Sequence, residues 1–276
     1  MTIFNHVIGE EGGNEFKAYV ATPPGGKGPG LILLHEVYGV NDSLKAVADD
    51  YAQKGFVVMC PNMYWRANPD ASYEFQHPGE EMTADLDRQR KESYKLMEGM
   101  DYGLVGHDMQ MAIDDLRANR ACTGKVGAMG VCLGGRCAFI AAAETDLDAG
   151  VGLYATRFKD EVAPSAASVK NPFIFVVPGK DPYVSEEEKT LLVKSAGRTQ
   201  FHVPGVASSD FMANKDGNPQ ITTHVFPFQD HAFARVGGLH YDPVCAGLAH
   251  KLATDLLKSA LAGPGNAPAP PTLRHA

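Results

Sequence analysis

Short apolar runs alternate along this chain with longer segments of helical periodicity. Runs rich in Val, Ile, Leu and Phe that end at Gly or Pro are typical of strands buried on both faces, and such strands usually form a parallel sheet covered by helices. The alternation therefore predicts an α/β fold with a mostly parallel central sheet, right-handed crossovers and helices on both faces. The predicted core strands are residues 30–37, 56–60, 125–131, 149–154, 172–177 and 222–226, the last of them the weakest.

Helical periodicity fills the intervals between these strands. A further run at 16–21 alternates apolar and polar residues, which suits an antiparallel edge strand. No Ser/Gly-rich linker divides the chain, so we expect residues 1–262 to form one domain, followed by a disordered Pro/Ala-rich tail at 263–276. The predicted helices are residues 42–52, 85–120 with a break near 99–106, 134–144, 186–194 and 242–261.

Charge and composition exclude several classes of protein. Lysine and arginine total 25 against 33 aspartates and glutamates, a net charge of −8 that argues against binding to nucleic acid or to an anionic membrane. No leader with a basic and then an apolar region opens the chain, and its apolar runs are too short to cross a bilayer. Five cysteines without a CxxC pair favour a reduced setting. We therefore expect a cytoplasmic protein, monomeric or a small homo-oligomer, with no cofactor and no metal.

The segment 130–134 (GVCLG) carries the sharpest chemical signal. It follows a predicted strand and opens a predicted helix, which is the context of a nucleophile elbow, G-x-nucleophile-x-G. Gly130 and Gly134 allow the close backbone approach that this turn needs, and a helix N-terminus favours a thiolate at Cys132 and a developing oxyanion. The alternative is a buried structural cysteine beside a glycine-rich turn.

Two further residues follow in the chain order that such a site requires: nucleophile, acid, histidine. Asp181 comes just after the strand predicted at 172–177, and His231 lies between the last strand and the last helix. Taken alone, each could be an ordinary turn or loop residue. Together they predict a triad in which Cys132 attacks, His231 moves the proton and Asp181 orients the imidazole.

The loop after the first core strand, residues 35–41 (HEVYGVN), completes the predicted site. In this kind of site that loop donates one N–H to the oxyanion and the residue after the nucleophile donates another, which selects the amides of Val37 and Leu133. Glu36 could be a surface carboxylate at a turn. An arginine near the pocket can hold a substrate carboxylate bidentately, although arginines on helices are most often solvated. The candidate arginines are Arg88, Arg90 and Arg235.

These motifs resemble those of the dienelactone hydrolases, or carboxymethylenebutenolidases. The chain carries HEVYGVN at 35–41, CLGG at 132–135, RQR followed by SYKL within 88–96, and HAFAR at 231–235. They stand in the order of that family and at roughly its spacing, from about residue 15 to about residue 260. The resemblance implies a single-domain α/β-hydrolase fold and the same cysteine, aspartate and histidine triad.

The resemblance also implies roles that spacing alone does not assign. Glu36 would contact the Cys132 thiol in the resting enzyme and release it when substrate arrives. The implied reaction is ring opening of 4-carboxymethylenebut-2-en-4-olide, a dienelactone, to maleylacetate, which is a step in catechol breakdown. The residues implied to contact this small anionic lactone are Arg90 and Arg235, at its carboxylate, and Tyr94 and Tyr154 in the pocket wall.

One segment departs from the family pattern, and other functions stay open. Residues 202–220 are expected to be an insertion that reshapes the pocket rim. The same machinery could serve an esterase or thioesterase with another small acyl substrate, or the scaffold could be a non-catalytic binding protein. A metalloenzyme lacks the support of an HExxH or HxH spacing. Its ligands would be His35, Glu36, His224 and His231.

Overall fold

The computed structural model describes residues 2–9, 15–157, 159, 164–207 and 209–263. Its strands are β1 (Thr2–Ile8), β2 (Phe16–Ala21), β3 (Gly28–Leu34), β4 (Val57–Pro61), β5 (Cys122–Val131), β6 (Ala149–Leu153), β7 (Phe173–Pro178), β8 (Ala196–Phe201), β9 (Met212–Ala213) and β10 (Asn218–Phe226). These strands form one ten-stranded sheet, in the spatial order β1-β2-β4-β3-β5-β6-β7-β10-β8-β9.

Helices connect most of the neighbouring strands. They are α1 (Asp42–Gln53), α2 (Ala84–Glu98), α3 (Val105–Ala118), α4 (Leu133–Glu144), α5 (Glu186–Ser195) and α6 (Pro243–Ala260), with short 3₁₀ turns at Tyr102–Leu104 and Ala166–Ser168. Helices α1, α3, α4 and α6 pack against the sheet. Within the described ranges, every helix is too short or too polar to span a bilayer.

The sheet is parallel through its centre and antiparallel at its margins. Strands β4, β3, β5, β6, β7, β10 and β8 pair in parallel, whereas β1, β2 and β9 pair antiparallel to their neighbours. The side chains of β4, β6 and β7 are all buried, as the near-continuous apolar runs predicted. The predicted α/β fold is confirmed, and the ends of each predicted core strand lie within four residues of the ends of an observed strand.

Side-chain caps explain where several helices begin. Asn41, Thr83 and Ser185 each accept a hydrogen bond from the backbone N–H three residues further on, which satisfies an amide that has no partner inside its own helix. The predicted break in the long helical stretch is also observed. Gly99 ends α2, and Asp101 caps the 3₁₀ turn that precedes α3.

The margins of the sheet differ from the prediction. The strand at 16–21 is antiparallel, but it is not an edge strand, because β1 pairs on its outer side. The segment 202–220 forms β9 and the start of β10. On the outer side of β10, strands β8 and β9 extend the sheet. Strand β8 (AGRTQF) lacks the apolar run that marks the central strands, because it lies near an edge. The predicted tail falls almost wholly outside the described residues, which end at 263.

Parallel strands place the segments after their carboxyl ends on one side of the sheet. Strands β3, β5, β6, β7 and β10 all point the same way, and the loops that follow them therefore meet at one edge. Ligands of open α/β sheets bind at this edge. Every residue that the sequence predicts for the triad follows one of these strands.

Candidate active site

Cys132 occupies a strained turn between β5 and α4. Its φ of 54° and ψ of −118° lie outside the conformations that non-glycine residues favour, and such backbone strain costs roughly 1–3 kcal/mol and clusters at functional sites. The Cys132 N–H donates to the carbonyl of Leu153 at 3.0 Å, which ties the turn to β6. Its side chain is buried in the floor of a cleft.

The two glycines of the elbow are required because the neighbouring backbone leaves no space for a side chain at either position. A Cβ on Gly130 would lie 1.8 Å from the carbonyl oxygen of Gly134, and one on Gly134 would lie 2.3 Å from the carbonyl oxygen of Leu34. Real Cβ atoms do not approach backbone so closely. The sequence pattern therefore reflects the close packing of the start of α4 against β3 and β5.

Asp181 and His231, fifty residues apart, meet beside Cys132. The Nδ1 atom of His231 lies 2.8 Å from Oδ2 of Asp181, and the other carboxylate oxygen accepts the N–H of Tyr183 at 2.9 Å. Burial lowers the pKa of His231, but the charge interaction with Cys132 and hydrogen bonds to Asp181 and Cys132 outweigh it and raise this pKa to about 10. The structure thus brings the three predicted triad residues together in one buried cluster.

The side chain of Glu36 is held by Arg235. Its Oε2 lies 2.6 Å from Nε of Arg235, and both side chains are largely buried, with 11% and 16% of their surface exposed. The Arg235 guanidinium also lies 5.2 Å from the ring centre of Tyr38 and 4.9 Å from that of Phe75. The carboxylate that the resemblance places against the thiol is therefore engaged here by a cation.

Val37 and Leu133, the predicted oxyanion donors, are both neighbours of Cys132. Leu133 is the first residue of α4, so its N–H has no acceptor within its own helix. Val37 lines the cleft beside Cys132, and its carbonyl accepts the hydroxyl of Tyr64 at 3.0 Å, which fixes the orientation of the 35–41 loop. That these two N–H groups bind an oxyanion stays a prediction.

The cleft above Cys132 has a volume of about 270 Å³, which suits a small molecule. Arg90 reaches it from α2, half exposed and paired with Asp87 at 2.7 Å, whereas Arg88 points outward to other acidic residues of α2. Tyr94 lies in the wall as expected. The apolar part of the lining includes Met82, Leu86 and Leu239.

Two expectations about the pocket wall are wrong. Tyr154 is buried behind the imidazole, 5.3 Å from His231 between ring centres, and it borders a separate cavity of about 40 Å³ together with Glu36. None of the described residues that line the cleft belongs to 202–220. The insertion extends the sheet edge instead of forming the rim.

Two residues that the sequence analysis missed also face the cysteine. Tyr183 lines the cleft and packs edge-on against His231 at 4.8 Å between ring centres. Thr156 is buried, and its Oγ1 lies 3.9 Å from Sγ of Cys132. Both follow the carboxyl ends of central strands, so the rule that located Asp181 could have located them.

A metal site finds no support in the structure. Both ring nitrogens of His35 are engaged, with Nδ1 lying 2.6 Å from the carbonyl oxygen of Glu36 and Nε2 accepting the N–H of Met63 at 2.9 Å. His224 instead pairs with His202 at 2.9 Å. In the described ranges, no three His, Cys, Asp or Glu side chains are grouped so as to hold a metal ion. The alternative with His35, Glu36, His224 and His231 as metal ligands therefore gains no support from the described residues.

Comparison with known proteins decides the family. The sequence model that describes the dienelactone hydrolase family matches residues 16–261. The chain belongs to the dienelactone hydrolase family. A relative from Azospirillum brasilense is 32% identical over 252 residues, which cover 91% of this chain and 95% of that protein. The carboxymethylenebutenolidase of Pseudomonas putida is 28% identical over 245 residues, which cover 89% and 92%.

A solved structure supports the same fold. A dienelactone hydrolase-like promiscuous phosphotriesterase from metagenomic libraries superposes with a TM-score of 0.67 at 19% identity, covering 94% of this chain and 98% of its own. The fold is therefore that of an α/β-hydrolase. Together with the curated relatives, the family match shows that this dienelactone hydrolase family member is a hydrolase of carboxymethylenebutenolidase type that acts on ester bonds.

Proposed function

We propose that this hydrolase opens a small carboxylated enol lactone, dienelactone, to maleylacetate through a triad of Cys132, His231 and Asp181. The observation that carries the proposal is the interaction of buried His231 with Asp181 on one side and with Cys132 on the other. Nucleophilic catalysis by cysteine requires a base in contact with the thiol and a third group that orients the base.

The reaction begins when the Cys132 thiolate attacks the carbonyl carbon of the lactone. The oxygen that becomes negative accepts hydrogen bonds from the N–H groups of Val37 and Leu133. The ring C–O bond then breaks, the enolate takes a proton from the His231 imidazolium, and a thioester remains. Water hydrolyses the thioester with neutral His231 as the base, which restores the thiolate and the imidazolium.

The carboxylate of the substrate binds to Arg90 and Arg235, with Tyr94 in the wall beside it. The pair between Arg90 and Asp87 is exposed, and exposed pairs are weak, so a substrate carboxylate can replace Asp87. Glu36 alternates between the thiol and Arg235. In this proposal, the conformation described above corresponds to the state in which the thiol is released.

The wider setting is part of the same proposal. Residues 1–262 act as one domain, as a monomer or small homo-oligomer in the cytoplasm, and the reaction serves catechol breakdown without a cofactor. A second candidate is an esterase for another small acyl substrate. The apolar side chains of Met82, Leu86 and Leu239 favour it, because they can bind an apolar part of an ester.

The test is kcat/KM on cis- and trans-dienelactone, compared with a neutral aryl ester, for the native protein and for Cys132→Ala and Arg90→Met. We expect turnover of dienelactone that is abolished in Cys132→Ala, and a loss in Arg90→Met that is confined to the anionic substrate. Cleavage of the aryl ester alone would keep the mechanism and reject the substrate. Activity that persists in Cys132→Ala would reject the triad.

A further inference from the structure

A small side pocket opens from the cleft next to Cys132. It has a volume of about 20 Å³ and shares Cys132 and His231 with the main cleft, but its far wall is formed by Met97, Thr156 and Arg157. A space of this size holds one water molecule when at least two polar groups can bind it. Thr156 and His231 supply such groups within reach of the sulfur.

The backbone is strained on both sides of Thr156, whose side chain is buried next to the sulfur. Tyr154 and Arg157 adopt positive φ angles of 38° and 55°, which non-glycine residues rarely do. Thr156, between them, is only 6% exposed, and its Oγ1 lies 3.9 Å from Sγ of Cys132. Strain that is kept at two positions beside a reactive centre indicates a function for the residue it orients.

The other polar side chains of the side pocket are less suited to hold a water molecule against the sulfur. The hydroxyls of Tyr94 and Tyr183 interact with each other. Arg157 is exposed, and its guanidinium is a cation that cannot accept a proton from water. Thr156 therefore offers a buried hydroxyl 3.9 Å from the reacting sulfur, and a hydroxyl can both donate to and accept from water.

A lactone creates a need for such a pocket. When an open-chain ester acylates a cysteine, its leaving group departs and water can enter through the space it vacates. When a lactone acylates a cysteine, the leaving oxygen stays attached to the acyl chain and continues to fill the cleft. The water for the second step then needs a position of its own beside the thioester.

We propose that the side pocket holds the water that hydrolyses the Cys132 thioester, and that Thr156 positions this water through Oγ1. The inference rests on the function proposed above, because it requires a thioester at Cys132. In the second step His231 takes a proton from the water, whose oxygen attacks the thioester carbonyl. The C–S bond then breaks, and the products are the carboxylic acid, the Cys132 thiolate and the His231 imidazolium.

The test compares two substrates with the same acyl chain length and a phenol leaving group. Dihydrocoumarin is an aryl lactone whose phenol stays tethered after ring opening, whereas the phenol of phenyl propanoate departs. Acylation and thioester decay are followed separately by rapid quench and mass spectrometry of the intact protein. The variants are Thr156→Val, which removes the hydroxyl at nearly constant shape, and Thr156→Ser, which keeps it.

A matched control comes from another buried threonine. Thr223 on β10 is fully buried and does not line the cleft, so Thr223→Val makes the same chemical change away from the site. We expect Thr223→Val to leave both steps unchanged. This variant reports any effect that arises only from losing a buried hydroxyl.

For dihydrocoumarin we expect Thr156→Val to slow thioester decay about ten- to a hundredfold, the size of effect that misplacing a reactant produces, with acylation changed less than about twofold. For phenyl propanoate we expect decay to slow much less, because water can enter through the cleft. Thr156→Ser should restore decay. Equal slowing with both substrates, slowing of acylation to the same extent, or no rescue by serine would overturn the inference.

If the function proposed above were wrong, the same experiments would give a different result. If no thioester forms at Cys132 in any variant, and hydrolysis persists in Cys132→Ala, then both the nucleophile and the role of Thr156 are wrong. If the thioester forms and decays at the same rate in Thr156→Val, the triad stands and only the water position is rejected.

Discussion

The buried ion pair between Glu36 and Arg235 can be broken from either side, which makes its energy measurable. At an N–O separation of 2.6 Å and an effective dielectric constant of about 20, the attraction of two unit charges is about 6 kcal/mol. Desolvation of the two groups offsets much of this attraction. What decides the outcome is the charge that remains buried when one partner is removed.

We expect Glu36→Met and Arg235→Met each to lower the free energy of unfolding by about 3 kcal/mol, the lower end of the range for breaking a buried pair. The value for Glu36→Met stays at this lower end because the rings of Tyr38 and Phe75 still stabilise the guanidinium, by roughly 0.5–1 kcal/mol each. The double variant leaves no lone charge. It should therefore lose less than either single variant, with a change in the free energy of unfolding close to zero.

Equilibrium unfolding in urea measures all four proteins, with the midpoint and the slope reported for each. The difference between the double variant and the two single variants gives the coupling energy directly. A double variant whose loss equals the sum of the single losses would refute the reasoning. The ion pair would then contribute no interaction energy, and the two side chains would act only by packing.

Two further predictions concern the elbow glycines and the pH dependence of the reaction. Gly134→Ala should prevent stable folding or lower the free energy of unfolding by more than about 3 kcal/mol, because its Cβ would meet the Leu34 carbonyl. In Gly247→Ala, in α6, the new Cβ meets no atom, so this control should raise the free energy of unfolding by about 0.5–1 kcal/mol. Thermal unfolding measures both variants. The opposite order would contradict the packing argument. Because the pKa of His231 is raised to about 10, the imidazolium persists below that pH and is lost above it. As the pH rises, the rate of acylation by an alkyl ester should fall with an apparent pKa near 10, because the leaving alkoxide needs this proton. The rate of acylation by a p-nitrophenyl ester should not fall in the same way. A fall in the alkyl-ester rate near pH 7 would count against the pairing of His231 with Cys132.

Local patterns predicted the central part of the fold well. The runs that became β4, β6 and β7 are apolar throughout, because both of their faces are covered, and this signal does not depend on distant residues. The margins were harder to predict. A strand near the edge such as β8 is partly exposed, so its composition does not distinguish it from a loop.

Chain order and strand ends located the three residues proposed as the triad, since a parallel sheet brings its carboxyl ends to one edge whatever the details of packing. The same rule could not tell which way a side chain points at that edge. Tyr154 follows β6 and yet packs behind the imidazole of His231, away from the cleft. Arg88 and Arg90 are two residues apart on α2, and only the second reaches the cleft.

The sequence by itself determined the class of fold, the elbow at Cys132 and the order of its partners, because hydrophobic period, glycine spacing and chain direction are local properties. Only the tertiary structure decided that Glu36 is held by Arg235 and that Thr156 faces the sulfur across a small pocket. These contacts join residues from separate strands and loops. Their distances follow from the strand order and from the packing of side chains at one edge of the sheet, and no pattern within a single segment encodes them.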